Sequence, residues 1–195
     1  MRARTYRVVV AAAALLVALA GASATAGASI SSGDADLHRE LASARHATAG
    51  YHRAATAVED GFALLPDGTP LHECIDEDVD LDDTDRKPAM GLHFVNADRL
   101  DGVIAANAPE VLVYEPTRNG RLRLVALEYV VFESAWGSPE AVAPPELFGQ
   151  QFMYVPDGNR YQLPAFYALH AWLWRHNPAG RLSDFNPLVT CAYAP

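Results

Sequence analysis

The chain has 195 residues, half of them hydrophobic, with 15 Lys and Arg against 24 Asp and Glu, for a formal net charge of −9. Ordinary aromatic and charged fractions exclude a disordered or low-complexity chain. An acidic balance argues against a nucleic-acid partner, because phosphate binding needs clustered Lys and Arg.

Residues 1–28 read as a secretory signal peptide. Arg2, Arg4 and Arg7 form a basic start, and residues 8–20 are an unbroken apolar core. Small residues then offer three A-x-A cleavage frames, ending at Ala24, Ala26 or Ala28. The core is too short for a membrane anchor, and no apolar run of about 18 residues follows it, so no membrane span is expected after cleavage. The expected location is extracellular or the cell-envelope space, with residues 29–195 as one secreted domain. Cleavage removes three arginines and leaves 12 basic residues against 24 acidic ones, net −12. Eight of those acids, from Glu73 to Asp85, crowd into one segment, and without them the balance is 12 against 16. The acidity is local.

From Leu37 onward, Leu41, Ala44, Thr48, Tyr51, Ala55, Val58 and Phe62 recur at spacings of four and three, the stripe of one long helix. Asp34 or Asp36 can cap its start, Gly61 can stop it, and Gly50 weakens its middle. Residues 63–90, rich in Pro and acid, read as loop. The alternating Asp76, Asp78, Asp80 and Asp82 fail the EF-hand pattern, because its glycine and glutamate positions hold Leu81 and Lys87. A solvated acidic loop is the simpler reading.

Extended segments follow at 91–95 (GLHFV), 111–115 (VLVYE), 122–132 (LRLVALEYVVF) and 151–155 (QFMYV). Residues 167–174 (YALHAWLW) suit a strand or a short helix. Asn119-Gly120 is a strong hairpin signal between the second and third segments. The expected fold is α+β: a long N-terminal helix on an antiparallel sheet of about five strands that could close into a barrel.

Cys74 and Cys191 are the only cysteines. In an exported chain they suggest a disulfide, rather than free thiols or a thiolate nucleophile. It would close a loop worth about 4–5 kcal/mol in chain entropy at most.

The common catalytic signatures are missing. There is no G-x-S-x-G, G-x-G-x-x-G, Walker loop or C-x-x-C, and His72-Glu73 does not complete H-E-x-x-H. What stands out is polar residues inside apolar strands: His93 in GLHFV, Glu128 in VALEYVVF and His170 in YALHAWLW. Alternation puts Glu128 on a face with Leu124, Ala126, Val130 and Phe132, and His170 on a face with Trp172 and Trp174. A carboxylate there needs a partner, a proton or a metal. If the strands face one interior, two imidazoles and a carboxylate suit a divalent metal such as zinc, or acid–base work on water. His176 and Tyr129 are possible auxiliaries, whereas His38, His46 and His52 belong to the exposed side of the helix. The simpler alternative gives Glu128 a buried Arg or backbone donors and leaves both histidines as core residues. Tyr167, Trp172, Trp174 and Phe185, beside Arg175 and Arg181, could line a pocket or simply fill the core.

GLHFVN, the run 109–116, LRLVALEYVVF, LFGQ and LHAWLWRHNPAG through DFNP resemble a family of exported bacterial proteins of unknown function. The resemblance covers most of residues 29–195 and implies a secreted single domain; it supplies no activity, cofactor or site residue. Three functions are therefore expected in turn: a secreted binder of a small ligand or divalent metal through His93, Glu128 and His170; a secreted hydrolase using the same groups; or an interaction module with no small-molecule site.

Overall fold

In a computed structural model, residues 32–66, 69, 71–77 and 87–195 are described. The signal segment, its three cleavage frames and the acids from Asp78 to Asp85 lie outside the described residues.

The expected single helix is two helices. Helix α1 (Ser32–Thr48) runs into a 3-10 turn (Ala49–His52), and after Arg53 the chain re-enters helix α2 (Ala54–Glu59). Arg53 has extended backbone, φ −95° and ψ 104°, which interrupts the helical register at the weak point marked by Gly50. The inward stripe changes with it. Leu41, Ala44, Thr48, Tyr51 and Phe62 are buried as expected, but Ala55 and Val58 are exposed, and Ala57 is buried in their stead. Asp34 and Asp36 lie inside α1 rather than capping it; Asp34 is in the first turn and Asp36 pairs with Arg39. Gly61 stops α2 as expected. Its φ of +90° lets its N–H reach the Val58 carbonyl and that of Phe62 reach Ala57, the Schellman arrangement.

The sheet is antiparallel and larger than expected. Its strands are β1 (Ala63–Leu64), β2 (Ile75–Asp76), β3 (Ala89–Val95), β4 (Val111–Pro116), β5 (Leu122–Phe132), β8 (Met153–Val155) and β9 (Phe166–Ala171). They run in the order β1-β3-β4-β5-β9-β8, with β2 also on β3. Strands β1 and β2 arise within the segment read as loop, each two residues long and each templated by β3. The sheet is open: among the described residues β8 does not pair with β1 or β2, so no barrel closes. The Asn119-Gly120 hairpin is present, joining β4 to β5 with Gly120 at φ +73°. A second, tight hairpin, β6 (Glu146–Leu147) and β7 (Gln150–Gln151), turns through Phe148 and Gly149, both at positive φ. The Glu40 carboxylate accepts the Phe148 N–H at 2.8 Å, tying this turn to α1.

Strand β5 carries a bulge. Its pairing with β4 passes from Val113↔Ala126 to Tyr114↔Leu124, so Val125 is an extra residue. Leu124 therefore turns to the helix side with Leu127, Tyr129 and Val131, while Ala126 packs with Val113 and Trp172 on the other side. Simple alternation, which places Leu124 beside Glu128, fails at this point.

Both faces of the sheet are covered. The helices pack on one, against Leu92, Phe94, Leu112, Tyr114 and the helix-side residues of β5 and β9. The C-terminal segment covers part of the other. There Asn186 exchanges two backbone hydrogen bonds with Ala89 of β3, at 3.1 and 3.2 Å, and the Cys74–Cys191 disulfide closes as expected. Strand β9 stops at Ala171 because Trp172 N–H turns to the Arg181 carbonyl and Trp174 N–H to that of Val125. As a result Trp172 stays on the His170 side, while Trp174 packs toward the helices against His52.

Candidate functional site

The second face brings His93, Glu128 and His170 together. Glu128 and His170 are direct cross-strand partners on β5 and β9. His93 lies two strands from Glu128, across β4 and two residues along, on the same face. Strands are about 4.8 Å apart, so a backbone gap of about 10 Å must be spanned by side chains. The intervening β4 residues on this face are Val111 and Val113, which are short enough for an imidazole and a carboxylate to meet above them. His93 Nε2 is 3.5 Å from one Glu128 oxygen, and His170 Nε2 is 3.8 Å from the other. One donor atom from each of the three residues lies within 4.8 Å of the others. The two rings are almost perpendicular, with centroids 5.8 Å apart.

Glycine is required beside the site. Gly91 has φ +124°, and a Cβ there would sit 2.6 Å from the Tyr114 carbonyl oxygen. A side chain at this position would push β3 away from β4 and carry His93 with it.

A fourth residue joins them that sequence reasoning missed. Asp184 Oδ1 lies 3.7 Å from His170 Nδ1, on the far side of the ring from Glu128. That length is an electrostatic contact rather than a hydrogen bond. Asp184 is held there by its neighbours. Trp172 Nε1 donates to the Ser183 carbonyl, Asn177 Nδ2 donates to the Phe185 carbonyl, and Asn186 is locked to β3. The Asn-Pro pairs have a structural job in this loop. The Asn177 and Asn186 side-chain oxygens accept the Ala179 and Leu188 N–H groups, forming Asx turns. The D-F-N-P string was the available signal, but only the fold places its aspartate behind His170.

Electrostatics follow from burial. His93 and His170 are each 2% exposed and Glu128 is 9% exposed. Burial, reinforced by His170, pushes His93 down to about 3, against a weak opposing effect of the Gly91 backbone, so it is a neutral imidazole. Burial raises Glu128, and Asp184 adds to this while His170 opposes it. Burial alone would lower His170, but Glu128 and Asp184 outweigh it and raise it. The hydrogen-bonding inventory is incomplete: among the described residues His93 Nδ1 and both nitrogens of His170 are buried without a hydrogen-bond partner. Nor does Glu128 have the arginine or backbone donors of the simpler reading among the described residues. Two other buried glutamates show what satisfaction looks like. Glu110 accepts the Val130 N–H at 3.0 Å, and Glu115 pairs with Arg123 at 3.4 Å.

An apolar cavity of about 160 Å³ adjoins the site, and His93 and Glu128 form part of its wall. The suggested auxiliaries are elsewhere. Tyr129 faces the helix side, where its hydroxyl donates to the Ala106 carbonyl, and His176 is exposed. His38, His46 and His52 are exposed as expected. The aromatic cluster divides: Tyr167 is in the helix-side core, and Trp172 and Trp174 take opposite directions. Trp172, Trp174, Arg175 and Arg181 border a surface hollow that Tyr167 and Phe185 do not reach.

Comparison with protein-family models, with curated proteins and with solved structures gives no match. The functional reading therefore rests on the geometry of the site.

Proposed function

We propose that this is an exported divalent-metal protein in which His93 Nε2, Glu128 and His170 Nε2 supply the protein ligands. The observation that carries the proposal is the meeting of three donors from three strands, with no hydrogen bond among the described residues to occupy the His170 nitrogens. The spacing suits such an ion. Tetrahedral zinc with bonds of about 2.0–2.1 Å needs donor atoms about 3.3–3.4 Å apart; the two His–Glu contacts, to different carboxylate oxygens, are 3.5 and 3.8 Å and the three donors lie within 4.8 Å of one another, so the ligands would close up by as much as about an ångström on binding an ion. Asp184 stands where an outer carboxylate orients a metal-bound histidine through its second nitrogen. His93 is already in the neutral form that a metal requires. Three protein ligands leave positions for water or a small ligand, and a bound metal would supply Lewis acidity and a more acidic water.

The hydrolase reading draws support from the adjoining cavity, which gives a substrate somewhere to sit beside the donors. Export is supported by the basic and apolar start of the chain and by the disulfide, which suits an oxidising compartment. Among the described residues no helix is long and apolar enough to cross a membrane.

Metal analysis of tag-free protein, dialysed against zinc and then metal-free buffer, should find about one equivalent. Asp184→Asn should weaken binding by about 10–100-fold, and His170→Ala should abolish it. Less than about a tenth of an equivalent in the unaltered protein overturns the proposal.

A further inference from the structure

The cavity beside the site defines a ligand class. Its wall is built by Val95, Val111, Val130, Phe132, Leu163 and Phe166 among other apolar residues, and among the described residues its polar members, apart from the Tyr161 ring, are His93 and Glu128. At about 160 Å³ it is too small for a drug-sized ligand, whose sites span about 300–1,000 Å³. It matches the scale of about 150 Å³ at which an apolar protein cavity stays dry and accepts benzene. Water has almost nothing to bond to there, so an apolar group entering it displaces little and gains dispersion contacts on every side. The polar end of such a group finds its polar partners on the side formed by His93 and Glu128.

We propose that the cavity holds the tail of a small ligand: one aromatic ring or a branched chain of similar size, with a carboxylate head at His93 and Glu128. The head rests on the metal reading, since a ligand carboxylate placed beside the Glu128 carboxyl group is held there by a cation between them. The tail does not rest on it. Ring size is set by the cavity, and head chemistry by the donors.

The test uses the full-length processed protein in zinc-loaded and metal-free forms, with toluene and benzoate as probes followed by titration calorimetry. Toluene should bind both forms. Benzoate should bind the zinc form at least about tenfold tighter than the metal-free form, a difference of about 1.4 kcal/mol. Val130→Phe, which fills the cavity, should remove toluene binding while zinc content stays at its unaltered level. Val95→Phe fills it from another strand and serves if the first variant does not fold. Phe132→Ala should enlarge it and admit naphthalene. If zinc binds and neither probe does, the cavity proposal is overturned and the metal reading stands. If toluene binds but zinc does not, the metal reading and the carboxylate head fall and the tail site stands. Equal benzoate affinity in both forms overturns the head alone.

Discussion

The two faces of this sheet are made from the same strands, yet they differ in how they treat their buried ionisable groups. On the helix side three buried tyrosines each end on a backbone carbonyl: Tyr114 on Tyr51, Tyr129 on Ala106 and Tyr167 on Gly137, at 2.7, 2.7 and 3.0 Å. Each of these three hydroxyls has found its partner, as folding stability demands, although Trp174 Nε1 on the same side has none among the described residues. On the other side His93 and His170 are nearly as buried, with Glu128 only slightly more exposed, and the three stand against one another without hydrogen bonds among the described residues. Burying them in that state costs free energy that an apolar residue would not. Such a cost is characteristic of sites kept for binding or chemistry. The difference separates core from site on physical grounds.

The close packing of the helix side sets the largest expected effect. Leu127 is fully buried in the main core, and Leu127→Ala should destabilise the protein by about 2–5 kcal/mol in chemical denaturation. A much smaller loss would mean that this face is not the close-packed one.

The next effect concerns a buried carboxylate that is satisfied. Burial pushes Glu110 up to about 7 from an ordinary value near 4.5, with the Val130 N–H opposing. The folded state therefore holds this proton where the unfolded chain has released it. Its stabilising contribution is full below about pH 4.5 and lost as pH rises through about 7, a change on the order of 3 kcal/mol. Glu110→Gln keeps an acceptor for Val130 and should flatten that part of the stability profile. An unchanged slope between pH 5 and about 7 would rule Glu110 out as its source.

The smallest and sharpest contrast is one of sign, on adjacent residues. Glu128→Met should stabilise metal-free protein at pH 8 by about 1–3 kcal/mol, since it removes a buried carboxylate with no donor. Tyr129→Phe should destabilise it by about 1 kcal/mol, leaving the Ala106 carbonyl unpaired. Melting temperatures of the two variants decide the matter, and a shared sign would erase the distinction between the faces.

Much of the fold was legible because its signals are local. The β-branched runs at 91–95, 111–115 and 122–132 became strands, and Asn119-Gly120 became their hairpin. The helix was legible up to Gly50 and misread beyond it, because periodicity continues on paper through a 3-10 turn that rotates the chain. Short strands such as Ala63–Leu64 and Ile75–Asp76 carry no pattern of their own; β3 imposes their conformation by offering an edge.

By itself the sequence determined three of the four groups at the site and the sole cysteine pair available to form a disulfide. His93, Glu128 and His170 are conspicuous because each interrupts an apolar strand, which is a property of neighbouring residues. Whether they meet was decided only by the tertiary structure, through strand order, register and the extra residue at Val125. A bulge reverses which side chains share a face without altering the composition of the strand, so alternation alone misassigned Leu124. Asp184 is the strongest case. It lies fourteen positions from His170 in a turn-rich tail, and its place behind the imidazole exists only because Trp172, Asn177 and Asn186 fold that tail back across the sheet.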